Sequence, residues 1–582
     1  RSDSLDVQSV DGDGVDGEAG APGSDYLGHE FRGVSVAYVN NQLLSEVAKA
    51  GLSRDAKVYE IEAKVIRKKG EKVKCPRDGR PGAAYVDCVH GAGHASLANF
   101  MLSYTWGYAV GDIADTLRHY CRDAQLNPHR TYVWICCLCI NQHRVKEQQK
   151  AGKVIPFEEF QKAFGDRVAG IGQIVAMMSP WRDPAYLKRV WCDFEMYSAT
   201  TLWPKGEIDS KVAIAMPPRE AQDFREALVE GGVGEVWKAL GAVDVEKAEA
   251  SVPEDKARIL KLIRDGPGFH GLNAAVATRL QAWIVQASEG YLHERLSDSD
   301  GRDVELAKLG EAVGVLLKQV GHLKRSAHAL EAALRIREQT NTVRDSDGAN
   351  LLRNMGVVKA ERGDPDGAMR DFERALDIRK ATHSLCTGDG ARLWSNIGAV
   401  RMNTGDFDGA YKAYAEALSI RHKVGLLETT EGSLLQMNIG FLARTGGDLD
   451  AALVSYEAAR CTREMTGTMN TPDGARLLSS IADTRGAKGD HKGEMETYEE
   501  ARRVLEATGT LESNDGATVL TNLASAMVKC ERVVDALVVY EDAKRVRERN
   551  GTMNTQEGKK LLDAISVVKV GARRARKVEL GW

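Results

Sequence analysis

Residues 354–380 read NMGVVKAERGDPDGAMRDFERALDIRK, and residues 396–422 read NIGAVRMNTGDFDGAYKAYAEALSIRH, the same pattern displaced by 42 positions. Gly356, Ala368, Phe372 and Ala375 become Gly398, Ala410, Tyr414 and Ala417, then Gly440, Ala452, Tyr456 and Ala459, with internal spacings of 12, 4 and 3. A small residue on one helix lets the next helix approach closely, and an aromatic four residues after the first Ala fills the gap on the same face. The pattern therefore describes paired antiparallel helices.

Working outward, the pairs Asp347-Gly348, Asp389-Gly390, Glu431-Gly432, Asp473-Gly474, Asp515-Gly516 and Glu557-Gly558 recur every 42 residues, and ELAKLGEAVGVLL fits the same helix one period earlier. The array thus starts near residue 303 and ends on KKLLDAISVVKV, which is expected to cap it without a partner. Ala482, Glu494, Ala524 and Glu531 depart from the pattern. The spacings resemble the tetratricopeptide repeat (TPR). The 42-residue period, with endings such as RALDIRK and EALSIRH, is similar to the repeats of kinesin light chains.

Asn354, Asn396, Asn438 and Asn522 each precede the small position by two residues, Ser480 taking that place once. An amide donates and accepts together, which suits the backbone of an extended peptide. Kinesin light chains use a similar ladder for cargo peptides, so the resemblance implies a protein or peptide partner in this groove. Internal satisfaction of the four amides is the competing reading.

The N-terminal half follows another rhythm. ANFMLSYTWG, TYVWICCLCI, QIVAMMSPW and KVAIAMPP read as buried strands, and VGDIADTLRHYCRDA, FEEFQKAFGDRVAGIG and PAYLKRVWCDFEMYSA as helices between them. Alternation of this kind predicts parallel strands with helical crossovers, a doubly wound α/β domain over 96–218 with any ligand cleft at the carboxyl ends of its strands. On the second strand Cys136, Cys137 and Cys139 are expected to alternate between faces. Residues 1–27, rich in Asp, Gly and Ser, read as a disordered acidic tail; 28–95 as an N-terminal extension; 219–302 as a helical connector; 303–582 as the solenoid.

Three motifs resemble the heterokaryon-incompatibility (HET) domain, which shares the flavodoxin-like fold of TIR signalling domains: LSYTWG at 102–107, WICCLCINQ at 134–142 and YLKRVWCDFE at 186–195. Cys136 stands where the second block usually has Asp. In active TIR domains the Glu of a similar segment assists cleavage of the nicotinamide–ribose bond of NAD. The resemblance implies Glu195 as catalytic residue, Ser103, Tyr104, Thr105, Trp106 and Trp191 as walls of a nucleotide pocket, and NAD as substrate rather than as a cofactor. A carboxylate suits that chemistry, because it stabilises an oxocarbenium-like ribose.

The competing reading is that a helix from Pro184, capped by Asp183, buries Tyr186, Leu187, Val190, Trp191, Phe194 and Tyr197, with Glu195 merely flanking that face. Such a helix would hold Glu195 about 16 Å from the cleft end. Either the helix begins later, or Glu195 is not at the cleft.

Other chemistries find little footing. Lys plus Arg number 79 and Asp plus Glu 83, a net charge of −4 that does not favour nucleic acid or a membrane surface. No apolar run approaches the ~20 residues of a span. Ten scattered cysteines form no secreted disulfide framework, which points to a reducing, cytoplasmic setting, although Arg1 in place of Met leaves room for a preceding segment. Cys75, Cys88, His90 and His94 lack the spacing of a standard zinc site, there is no GxxxxGK[ST], and RRARK at 573–577 reads as a solvated helix end. The sequence thus predicts a signalling scaffold whose solenoid binds a partner and whose α/β domain acts by self-association. An NAD glycohydrolase and a cargo adaptor are the alternatives, the latter without a heptad segment for motor binding.

Overall fold

A computed structural model of the protein describes residues 30–151, 165–189, 192, 195, 198, 211–230, 244–249, 253–265, 268–298 and 303–579. The tail at 1–27 and Trp191 lie outside the described residues. The chain forms two compact units, Arg1–Ala287 and Ser288–Trp582.

The first unit is built on a six-stranded sheet of β1 (Arg32–Ser35), β2 (Ala95–Leu97), β3 (Phe100–Ser103), β4 (Tyr132–Ile135), β5 (Ile174–Met177) and β6 (Val212–Ala215), in the order β2-β1-β4-β3-β5-β6. β3, β4, β5 and β6 run parallel, and all of β3 and β5 is buried, as their continuous apolar runs predict. The expectation of a purely parallel sheet confined to 96–218 is corrected. β1 pairs antiparallel with both β2 and β4, so residues of the supposed extension complete the sheet. That edge escapes a period-two reading because Gly33 must lie against the Val133 carbonyl, where a Cβ would sit 2.6 Å from the oxygen.

Helix α1 (Val110–Asp123) follows β3, with Ile113, Ala114, Leu117 and Cys121 buried. α2 (Gln142–Lys150) follows β4, its first turn capped by Asn141. Between β4 and α2 the chain turns once as a helix over Cys136–Cys139, so the three cysteines do not alternate across a strand as expected. α3 (Pro218–Glu230), α4 (Pro253–Asp265) and α5 (Gly268–Asp298) supply the helices of the 219–302 segment.

The second unit stacks six antiparallel helix pairs and a last helix. The pairs are α6 (Val304–Gln319) with α7 (Leu323–Gln339), α8 (Ser346–Glu361) with α9 (Pro365–Ala381), and α10 (Gly388–Asn403) with α11 (Phe407–Lys423). They continue as α12 (Thr430–Thr445) with α13 (Leu449–Met465), α14 (Pro472–Ala487) with α15 (His491–Ala507), and α16 (Asn514–Lys529) with α17 (Val533–Arg549), before α18 (Gln556–Glu579).

Each recurring glycine has a steric reason. Asp345, Thr387, Thr429, Thr471 and Ser513 cap the first helices by accepting from the N–H of Gly348, Gly390, Gly432, Gly474 and Gly516. A Cβ on Gly390 would lie 1.9 Å from the Leu385 carbonyl oxygen, so only glycine lets the preceding loop close onto the helix. Gly356 and Gly398 meet the rings of Phe372 and Tyr414, where a Cβ would lie 2.4 and 2.5 Å away. The departures are accommodated locally. Buried Glu494, in an alanine position, receives Lys529 Nζ at 2.8 Å, and Gly486 leaves the space it needs. Glu531 adopts φ 63° where earlier repeats use glycine, as at Gly363.

Candidate functional site

In the sheet unit the chain order of the parallel strands is second, first, third, fourth across the sheet, so the crossovers reverse between β3 and β5. The carboxyl ends of those strands are where a ligand crevice forms in open sheets. Ser103 closes β3 and is fully buried. Its Oγ hydrogen-bonds the Glu195 carboxylate and lies 2.9 Å from Tyr186 OH, which is itself 3.4 Å from the Cys192 carbonyl oxygen. A hydroxyl has one proton, so when Ser103 donates to the carboxylate the tyrosine must donate to Ser103 or to the carbonyl.

The second motif meets the first at the same strand ends through Cys136. Trp106 Nε1 donates to Cys136 Sγ at 3.4 Å, and that thiol donates to Tyr104 OH at 3.4 Å. Cys192 Sγ reaches the Tyr104 carbonyl at 3.9 Å. Burial raises the Cys136 thiol pKa, with the nearby Glu195 charge adding to the rise, and burial likewise pushes the Tyr104 phenol well up. Thr105 instead turns the loop, accepting from Gly107 N at 3.3 Å. Tyr108, which sequence reasoning passed over, ties this loop to the end of β5 by donating to the Ser179 carbonyl at 2.8 Å.

The position of Glu195 follows from a break in the expected helix. Pro184 starts only the short 3-10 turn Ala185–Lys188, and Arg189 is extended at φ −115°, ψ 114°. Cys192, Glu195 and Ser198 are helical beyond that break. The helix therefore begins later than a start at Pro184, which removes the ~16 Å separation such a start implies. Elsewhere Cys75 and Cys88 pack with Ala83 in a small apolar cluster, and the His94 ring lies 5.3 Å from that of Tyr38.

In the helical unit the four asparagines divide. Asn354 Nδ2 donates to Glu311 Oε1 at 2.9 Å, and Asn522 Nδ2 to Tyr498 OH at 3.0 Å. Asn396 and Asn438, on α10 and α12, make no hydrogen bond among the described residues. Asn354 and Asn396 line one cavity of about 280 Å³ with Lys318, Arg353, Val315 and Val357.

A ladder of buried arginines also emerges. Arg337, Arg379, Arg421 and Arg463 end the second helices and donate to the loop carbonyls of Thr342, Ser384, Leu426 and Thr468. Their 42-residue recurrence was visible in the sequence, but nothing there distinguished a buried arginine from a solvated one.

Two stretches, residues 349–384 and 391–423, match family models described as tetratricopeptide repeat. These are tetratricopeptide repeats. No curated protein sequence matches the chain. Similar solved structures include BtubC (BKLC) from P. vanneervenii, 20% identical over 39% of this chain and 91% of that one, TM-score 0.35. Another is a Rap protein complexed with Competence and Sporulation Factor, 13% identical over 61% of this chain and 97% of that one, TM-score 0.35. A third is the set of nearly identical TPR-like repeats of kinesin-light-chain description from Podosopora anserina, 15% identical over 34% and 94%, TM-score 0.30.

The first tetratricopeptide pair carries a titratable group. Burial pushes the Glu311 carboxyl from its ordinary 4.5 up to about 7, with Arg337 and Arg353 opposing the rise. The folded state therefore holds this proton at higher pH than the unfolded state, and its stability falls as pH rises from about 4.5 to 7. Glu311→Gln is expected to flatten that slope and to raise stability at pH 8 by roughly 2 kcal/mol. Urea denaturation across pH 4–8 checks this, and parallel curves for both proteins would contradict it.

Proposed function

We propose that the tetratricopeptide solenoid binds an extended segment of a protein partner along its first helices, and that the sheet unit is an effector acting by self-association. The observation that carries the binding half is the pair Asn396 and Asn438, 42 residues apart in equivalent places, whose amides have no partner within the described chain. Neither amide is committed to a partner within the chain, and a peptide backbone would supply both its donor and its acceptor. Panning the full chain against a phage-displayed random dodecapeptide library tests this. Enriched sequences that bind in solution support the groove, and recovery of none contradicts it. A cargo adaptor of kinesin-light-chain type would use the same amides.

A second reading is favoured by the hydrogen bond of Ser103 to Glu195 where the strand order reverses. In this reading the unit, whose motifs resemble the HET and TIR-like families, is an NAD glycohydrolase. Glu195 stabilises the positive ribose as the nicotinamide bond breaks, Ser103 holds the carboxylate, and Tyr104 and Trp106 shape the pocket. Among the described residues no helix is long and apolar enough to cross a membrane. Nicotinamide release by the full chain, with and without a crowding agent, is expected to fall at least about 100-fold in Glu195→Gln. Equal release by both proteins, or none by the wild type, sinks the reading.

A further inference from the structure

We propose that α18 is half of a helix pair that a partner protein completes, by laying an amphipathic helix with an acidic N-terminus where a second helix would pack. The observation behind it is what happens at the turn. Gly321, Gly363, Gly405, Gly447, Gly489 and Glu531 take positive φ where each first helix gives way to its second. The equivalent Arg573 lies inside α18, which runs for 24 residues where every other first helix of the solenoid has 16. The chain therefore passes the turn as helix, and the face that a second helix covers elsewhere is exposed.

That face keeps the features of a paired one. Leu562 is 43% exposed, whereas Leu352, Leu478 and Leu520 in the equivalent place are at most 2% exposed, in cores that include Phe372, Tyr498 and Tyr540 of the second helices. Ser566 takes the small place at which Gly356 and Gly398 meet the rings of Phe372 and Tyr414. Its hydroxyl donates to the Asp563 carbonyl of its own helix at 2.7 Å, so it makes no demand on an incoming ring. Ala482 and Ala524, in the same place, show that a Cβ is tolerated there. The peptide groove is a different face, since Ala564 stands where Asn354 does in its repeat.

Charge selects the occupant. The stretch by which α18 exceeds the other first helices, residues 572–579, reads ARRARKVE, four cations against one acid. Antiparallel pairing brings the N-terminus of an incoming helix to that end, and a helix N-terminus is itself positive. An acidic first turn makes the approach favourable, and the solenoid's own second helices have one. Asp364, Asp406 and Asp448 cap α9, α11 and α13, with Asp366, Asp408 and Asp450 following in the first turns. At the other end Lys559 stands in a place that is otherwise alanine or serine, where the carbonyls ending the incoming helix favour a cation. A second copy of α18 does not fit, because residues 556–579 carry seven Lys and Arg against three acids and the two helices would repel. Nor does a bilayer surface. Leu561, Ile565 and Val568 are already buried in the core shared with α17, which leaves too narrow an apolar strip for lipid.

The test titrates a fluorescent synthetic copy of α13 with its cap, residues 448–465 carrying Cys461→Ala, into the full chain. This peptide opens on Asp448 and Asp450 and presents Tyr456 for the Ser566 place. Binding should saturate, and should weaken at least about 10-fold in Leu562→Glu, in Arg573→Gln/Arg574→Gln/Arg576→Gln/Lys577→Gln, and with Asp448→Asn/Asp450→Asn in the peptide. The quadruple variant combined with the Asn peptide should cost little more than either change alone. Leu562→Glu alters an exposed residue and should melt like wild type, and Asn396→Ala/Asn438→Ala should bind the copy as wild type does. Absence of saturable binding, or binding indifferent to Leu562→Glu, overturns the proposal. Equal binding of a scrambled peptide of the same composition reduces the site to a bare charged patch and overturns it too. Vesicles of phosphatidylserine and phosphatidylcholine, or poly(U) RNA, bound by wild type in preference to the peptide and lost in Leu562→Glu, would give the face to lipid or RNA instead.

Discussion

Arg379→Ala is expected to destabilise the solenoid by about 3–5 kcal/mol, the cost of breaking a buried, hydrogen-bonded charge. Arg379 is 1% exposed, donates to the Ser384 carbonyl at 3.4 Å and to Asn350 Oδ1 at 2.7 Å, and lies 3.5 Å from Asp389 Oδ2. Truncation removes these contacts together, opens a cavity between α9 and the loop entering α10, leaves Asn350 without its donor and leaves Asp389 to Arg392 alone. The chain contains its own comparison. Leu505 occupies the equivalent place three periods later at 3% exposure, so the site accepts an apolar filler. Arg379→Leu should therefore cost roughly 1–2 kcal/mol less than Arg379→Ala, because it refills the cavity. Urea unfolding followed by far-ultraviolet circular dichroism reads both, with hydrogen exchange locating the loss at α9 and α10. Equal stability of Arg379→Ala and wild type would show that the buried ladder contributes nothing.

The asparagines give the second large effect, on binding and not on stability. Asn396→Ala and Asn438→Ala each remove an amide with no partner in the described chain, so the free protein loses no hydrogen bond and its unfolding should move by less than about 0.5 kcal/mol. Against an enriched peptide each loss leaves backbone groups of the ligand unsatisfied, about 1–2 kcal/mol apiece, and the double variant should bind about 100-fold more weakly. Asn522→Ala should behave in the opposite way. It breaks the 3.0 Å bond to Tyr498 OH and lowers stability, with little change in affinity.

How far the sequence could be read depended on whether a residue's role repeats. Gly356 facing Phe372 and Gly398 facing Tyr414 recur every 42 residues, so spacing alone predicted helix pairs and their close approach. The sheet was harder. Strands β3, β5 and β6 announce themselves as short apolar runs, but β1 holds an unpatterned RGVS, and its place beside β4 depends on a long-range pairing that local periodicity does not encode. The turn at Cys136–Cys139 continues the apolar run of β4, and hydrophobicity does not tell such a turn from more strand. The sequence left the place of Glu195 open between two helix starts for a related reason. Pro184 reads as a helix start, yet the extended backbone at Arg189 interrupts the helix without any glycine or proline to mark it.

Calorimetric titration of an enriched peptide into the full chain and into Asn396→Ala/Asn438→Ala, with Asn522→Ala alongside, tests the peptide groove most directly. The predicted result is an affinity lost about 100-fold in the double variant and retained in Asn522→Ala, with the double variant melting like wild type. Undiminished affinity in the double variant would contradict it, because the peptide would then be bound without the two amides on which the groove assignment stands.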